Sequence, residues 1–453
     1  MVDLLTRAEL ELLRKDQIEM LANVIESSMN DVRETGEAVG VWQKRIAKEA
    51  WLPSAVLAYL KTFKDQCFRA RNNLHSYLRV LNVYKTNPSS IVKNVFDPIK
   101  FVRDAEDAQR MIRFYQTTLE PFLYERSDPM KRGQSFTLEA LILFIDSLYK
   151  HLELSGIPMP LFSHAPISTE IIHEAYRLPL YMEFGVDKWS LCAHEVGHKV
   201  FEGLSKTLLI EAESAIKTNI LESVAKAQQD QVQESWRKID LKMQVEEMAS
   251  DIFATMLMGP AYFLSSLGEL RTNSFSQMHS SAKEDQTARF THPPLELRFM
   301  VMLYVLEELG YRSNTKLWGS FIAETKSWRP CFDILLKLAA NPANDLFGGF
   351  FGGLFESKAS LRKKILERIP QLKKSTLDLE TFQELPSKLE AALSPIIEMD
   401  SFYVYPQEIP SALDIVRGVP TFIARYSDFR ETVRLRAIRL LELKYILSSS
   451  NKV

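Results

Sequence analysis

"DKWSLCAHEVGHKVFEG", residues 187–203, decides how the rest of the chain is read. Within it His194, Glu195 and His198 stand in the order H-E-x-x-H. On a helix, residues four apart lie one above the other, so His194 and His198 can aim two imidazoles at one metal ion. Glu195, one step round from the first imidazole, reaches a metal-bound water without itself binding the metal. Asp187 is placed to cap the start of this helix. Upstream, "LYMEFGV" (180–186) alternates. Leu180, Met182, Phe184 and Val186 share one face and Tyr181 and Glu183 the other, which predicts a half-buried strand leading into the helix. Gly197, between the histidines, predicts close approach of another backbone. Cys192, two positions before His194, faces away from the metal.

A catalytic zinc needs a third protein ligand and groups that orient the imidazoles. "LKMQVEEMASDIFATMLM" (241–258) has helical apolar spacing and stops at Gly259-Pro260. Glu247 and Asp251 are one helical turn apart, so two carboxylates share a face and repel unless they meet a cation. Glu247 is read as the third ligand and Asp251 as the acceptor for the far N–H of a ligand histidine. Glu246, about a third of a turn away, is the second choice of ligand. Further on, "HPPLELRFMVMLYVLEELG" (292–310) reads as a helix with proline at its start and Gly310 at its end.

H-E-x-x-H followed on a second helix by E-x-x-x-D resembles the gluzincin metallopeptidases. "THPPLELR" (291–298) is similar to the T-H-P-P-x-x-x-R segment of the CAAX prenyl protease and heat-shock membrane protease group. The resemblance covers residues 178–310, roughly a third of the chain as motif matches go. It implies a mainly α fold with an α+β, gluzincin-like core containing a small sheet. It also implies one Zn2+ per chain on His194, His198 and Glu247, with Glu195 as general base and Asp251 behind the ligands. His292 would stabilise the oxyanion or bind substrate, Tyr262 being the alternative oxyanion donor, and Arg298 would support the site. The named relatives are membrane-embedded, whereas this chain has no apolar run long enough for a membrane span. The implication therefore extends to peptide-bond hydrolysis and not to prenylated substrates.

The flanks read as helical, giving an N-terminal region 1–155, the metallopeptidase core 156–310 and a C-terminal region 311–453. "SGIPMPLFSHAPIS" (155–168) reads as loop, and "NDLFGGFFGGLFES" (344–357) as a buried turn, a mobile lid or a partner-docking loop. The 56 Lys and Arg against 58 Asp and Glu demand neither nucleic acid nor an anionic membrane as partner. The arginine-rich "RYSDFRETVRLRAIRLLELK" (425–444) carries enough acid at helical spacing to read as a solvated amphipathic face. The first twenty residues lack the apolar centre of a secretory signal. Three distant cysteines (Cys67, Cys192, Cys331) fit a reducing compartment, and the expected location is cytoplasmic. The expected partner is a peptide or protein substrate, its extended backbone pairing with strand 180–186. His75, His151, His164, His173 and His279 stand outside any ligand spacing. The competing reading is a latent or non-catalytic zinc-containing regulatory or binding protein. Against a purely structural zinc stand Glu195, which such a site does not need, and the lack of a suitably spaced cysteine pair.

Overall fold

The computed structural model describes residues 15–49, 54–86, 98–127, 137–154, 159–163, 168–170, 175–179, 185–204, 240–267, 292–325, 346–394 and 409–450, with 214, 333 and 337 singly. Helices dominate these residues, with one small sheet. Contacts divide the chain into two compact units, 1–135 with 158–180 and 136–157 with 181–453.

In the first unit, α1 (Lys15–Glu49) and α2 (Ser54–Thr86) pack along their length. Ile25, Ser28, Val32, Thr35, Val39, Trp42 and Ile46 are buried at alternating spacings of three and four. On α2, Leu60, Phe63, Cys67, Leu74, Tyr77 and Leu81 answer them. That is the seam of a supercoiled helix pair. α3 (Pro98–Phe114) covers the pair, with the Tyr77 hydroxyl donating to Asp104 at 2.7 Å, and runs through a π-helical turn into α4 (Glu120–Ser127). β1 (Met159–Ser163), β2 (Ser168–Glu170) and β3 (Ala175–Pro179) form a sheet in the order β1-β3-β2, β1 parallel and β2 antiparallel to β3. Part of the expected loop 155–168 is therefore strand. Its proline, Pro160, falls on an edge strand, where a missing N–H is tolerated. The small sheet belongs to this unit. The expected strand 180–186 lies largely outside the described residues, and Val186 begins a 3-10 turn.

The second unit begins with α5 (Thr137–His151), whose Leu141, Phe144, Ile145 and Leu148 are buried where it meets the C-terminal helices. After the 3-10 turn Val186–Leu191 come α6 (Cys192–Leu204), α7 (Leu241–Met258), α8 (Pro260–Ser266) and α9 (Leu295–Glu308). Then follow α10 (Thr315–Thr325), α11 (Leu346–Glu356), α12 (Lys358–Arg368), α13 (Pro370–Ser375), α14 (Leu379–Leu393), α15 (Ala412–Arg425) and α16 (Arg430–Ser450).

α7 is the central element. Its start is capped by Asp240, which accepts from the Met243 N–H at 3.1 Å. From Glu247 to Met258 every residue is buried, because α6, α8, α9, α12 and α13 all pack on it. It ends as the sequence predicts, at Gly259, with φ of +58°, before Pro260 opens α8. The buried Arg417 of α15 donates to the Leu257 carbonyl at 2.6 and 3.0 Å, satisfying an end carbonyl of α7.

The Phe/Gly segment is helix, not a turn or loop. Phe350, Phe351 and Leu354 recur at helical spacing and are buried. Burying such side chains gives about 1.5–3 kcal/mol each, against about 1 kcal/mol for each helical glycine. α16 buries Val433, Ala437, Ile438 and Leu441 and leaves Arg430 exposed, the amphipathic face its sequence predicts. No helix among the described residues is long and apolar enough to cross a membrane.

Candidate metal centre

α6 carries His194 and His198 on one face, and both side chains are about nine-tenths buried. α6 can lie this close to α7 because position 197 is glycine. A Cβ there would stand 3.1 Å from the Ser250 Cα and 3.2 Å from the Phe253 ring, closer than packed carbons sit. The close approach predicted from Gly197 is thus an approach to the backbone of α7, and it brings Glu247 against both imidazoles.

The Nε2 atoms of His194 and His198 are 3.0 Å apart. Glu247 places Oε2 3.3 Å from the first and Oε1 3.3 Å from the second. The outward nitrogens are also engaged. His194 Nδ1 lies 3.0 Å from Asp251 Oδ1 and 3.1 Å from the Tyr262 hydroxyl, and His198 Nδ1 lies 3.2 Å from Glu246 Oε1. Asp251 is an anion that only accepts, held by Arg298 Nε at 2.7 Å, Arg298 Nη2 at 2.8 Å and the Tyr262 hydroxyl at 2.6 Å.

Each Nδ1 therefore carries the proton and donates to its carboxylate, leaving Nε2 as a lone pair. Two such lone pairs and two carboxylate oxygens converge on one point, an arrangement that repels unless a proton or metal cation lies among them. A tetrahedral zinc with bonds of about 2.0–2.2 Å sets its ligand atoms roughly 3.3–3.5 Å apart. The 3.0, 3.3 and 3.3 Å edges match that spacing closely enough for small side-chain shifts to seat the ion. His194, His198 and Glu247 are the group among the described residues whose donor atoms all fall close enough to share an ion.

The electrostatics point the same way. Burial alone would lower the His198 pKa, but its bonds to Glu246 and Glu247 and the charge of Glu195 push it up to about 10. His194 is raised too, burial being outweighed by Asp251 and Glu247. Burial would raise Glu247, yet the two histidines and Arg298, 3.4 Å from its Oε2, hold it well below the carboxylate range. Asp251, likewise opposed by burial, is held at about 2 by Arg298 and His194. The centre is built to keep its carboxylates ionised and to attract positive charge.

The structure brings His194, His198, Glu247, Asp251 and Arg298 together in one cluster. Glu195 is buried on the same helix, and its charge acts on His198. His292, half exposed just before α9, sets Nε2 3.4 Å from Glu247 Oε1 at the rim of the cluster. Three expectations change. Glu246 orients His198 and does not compete for the ion, because its one-residue offset from Glu247 turns it to the outer nitrogen. Tyr262 lies fully buried behind His194 and spends its proton on Asp251, so no substrate oxyanion can reach it. Asp187 does not cap α6. A 3-10 turn intervenes, and its carboxylate is gripped by Arg434 at 2.8 and 2.9 Å.

Sequence reasoning missed the Arg434 pair, which spans 247 residues and leaves no local signal. His75 and His151 are exposed on other elements, and His164, His173 and His279 lie outside the described residues. Compared with protein-family models, with curated proteins and with solved structures, the chain matches none.

Proposed function

We propose that the chain is a zinc-dependent metallopeptidase with a gluzincin-like core. The observation that carries this reading is the convergence of His194 Nε2, His198 Nε2 and the Glu247 carboxylate, each imidazole backed by its own carboxylate. A His2Glu set with no fourth protein ligand is the donor pattern of a catalytic zinc rather than a structural one. When bound, one Zn2+ supplies a Lewis acid for the scissile carbonyl and brings the pKa of water toward neutrality.

The chain's own residues do the rest. Glu195 takes a proton from the attacking water at its carboxylate and returns it to the leaving amine. Asp251 and Glu246 fix the imidazole tautomers, and Arg298 keeps Asp251 and Glu247 charged. His292, the exposed member at the rim, donates to the substrate carbonyl oxygen as negative charge develops there. The substrate is a peptide or protein. Cys67 and Cys192 are free and buried, which suits a reducing compartment, and we place the activity in the cytoplasm.

The test compares wild type with Glu195→Gln, measuring zinc content and, by mass spectrometry, new protein N-termini in cells expressing each. Removal of the base should slow cleavage about 10²–10⁴-fold with zinc retained. New termini confined to wild type would bear the reading out. Equal zinc with no wild-type-specific termini would count against a peptidase.

A further inference from the structure

We propose that a cavity in the second unit, away from the metal ligands, binds a small free organic acid, a carboxylate with an apolar body. The cavity has a volume of about 370 Å³ and opens between the turn leading into α6 and helices α8, α15 and α16. Leu264, Pro420, Ile423 and Ala424 give it an apolar wall, while Lys188 and Arg430 stand on its lining with positive charge.

The one acid on the lining, Asp187, does not cancel that charge. Both its oxygens are taken by the Arg434 fork at 2.8 and 2.9 Å. Glu431, next to Arg430 in the chain, is itself held by Arg434 at 2.7 Å. Lys188 is fixed in place by donating to the Ser265 carbonyl at 2.9 Å. Arg430 is exposed and has no ion pair or hydrogen bond with another described residue, so its planar fork can accept a carboxylate side-on. Ser265, also on the lining, has its hydroxyl committed to the Asp187 carbonyl and to Ser190, so it adds no selectivity for a sugar or polyol. Apolar wall, surplus positive charge and few uncommitted hydroxyls together describe a site for an amphipathic anion.

Size narrows the class further. At about 30 Å³ per water molecule, the cavity holds the equivalent of roughly a dozen non-hydrogen atoms. An aryl or alkyl carboxylate of that size fills it, and 4-phenylbutyrate is a suitable probe. None of the lining residues belongs to the metal cluster, so the inference stands apart from the peptidase reading.

The test is calorimetric titration of the full-length chain with 4-phenylbutyrate and with its neutral amide. Arg430→Gln removes the charge, and Ala424→Trp fills the cavity from an exposed position. The acid should bind one per chain, at least tenfold more tightly than the amide. Arg430→Gln should weaken the acid about tenfold and leave the amide unchanged, and Ala424→Trp should abolish both. Failure of the acid to bind wild type at millimolar concentration overturns the proposal. So does an affinity untouched by both substitutions. An acetylated dipeptide with a free C-terminus that binds more tightly than the acid overturns the assignment to free acids and makes the site one for peptide ends.

Discussion

Asp251→Asn is the sharpest perturbation of the metal centre, because Asp251 is wholly buried and its two oxygens receive four donors. Arg298 supplies two, Tyr262 one and His194 one, all between 2.6 and 3.0 Å. The asparagine keeps the shape but turns one acceptor into an NH2 that must face an Arg298 or Tyr262 donor. It also leaves the Arg298 guanidinium, itself 2% exposed, with only the 3.4 Å contact to Glu247 as counter-charge. Breaking one side of a buried ion pair costs about 3–5 kcal/mol. The unit holding the site has about 300 residues and so an unfolding entropy of about 0.6 kcal/mol/K. The melting temperature should therefore fall by about 5–8 °C, read by calorimetry on metal-free protein. His194 loses its anionic partner at the same time, so zinc affinity measured against a chromophoric chelator should drop about 10–100-fold. The double variant Asp251→Leu/Arg298→Met removes the pair as a unit. It should recover most of the melting temperature but none of the zinc affinity, because an apolar pair packs where it cannot orient an imidazole. Melting within a degree of wild type, together with undiminished zinc affinity in Asp251→Asn, would falsify the account of the centre.

Glu246→Ala should weaken zinc about 10-fold or more while Co2+ substitution still reports the wild-type coordination number, whereas Glu247→Ala should lower that number. An identical change in ligand number for both would make Glu246 a ligand after all. Gly197→Ala drives a methyl to 3.1 Å from the Ser250 backbone and should cost about 1–3 kcal/mol and reduce zinc occupancy. Unchanged melting and occupancy would show that α6 and α7 have slack at that point. The pH dependence has a definite sign. The metal-free His198 pKa lies above its ordinary value, so its contribution to stability is full below about pH 6.5 and is lost as pH rises through about 10. Metal-free protein should lose stability across that window. Zinc must displace the same proton, so its affinity should rise as pH rises toward 9. A zinc affinity flat from pH 6 to 9 would contradict the proton assignment.

The sequence by itself determined what a single helix can determine. His194 and His198 share a face because they are four apart, and Glu247 and Asp251 do so for the same reason. The ends of α7 and α9 were legible in Gly259-Pro260 and in Pro294 and Gly310, since backbone restrictions act over one or two residues. The Phe/Gly segment misled because four glycines suggest a turn, while the burial of Phe350, Phe351 and Leu354 that makes it helical comes from other elements.

Only the tertiary structure decided how the two site helices meet. The contact of Gly197 with Ser250 sets their separation, and through it Glu247 reaches both Nε2 atoms while Glu246 takes the outer nitrogen of His198. It also decided that Tyr262 points inward to Asp251, and that Asp187, a cap by local reasoning, belongs to Arg434 of α16. Those partners lie 11 to 247 residues apart in the chain. Helical periodicity fixes the face on which a side chain emerges. What that face meets depends on the packing of whole elements, where burial and charge pairing act together and no short stretch of sequence records the outcome.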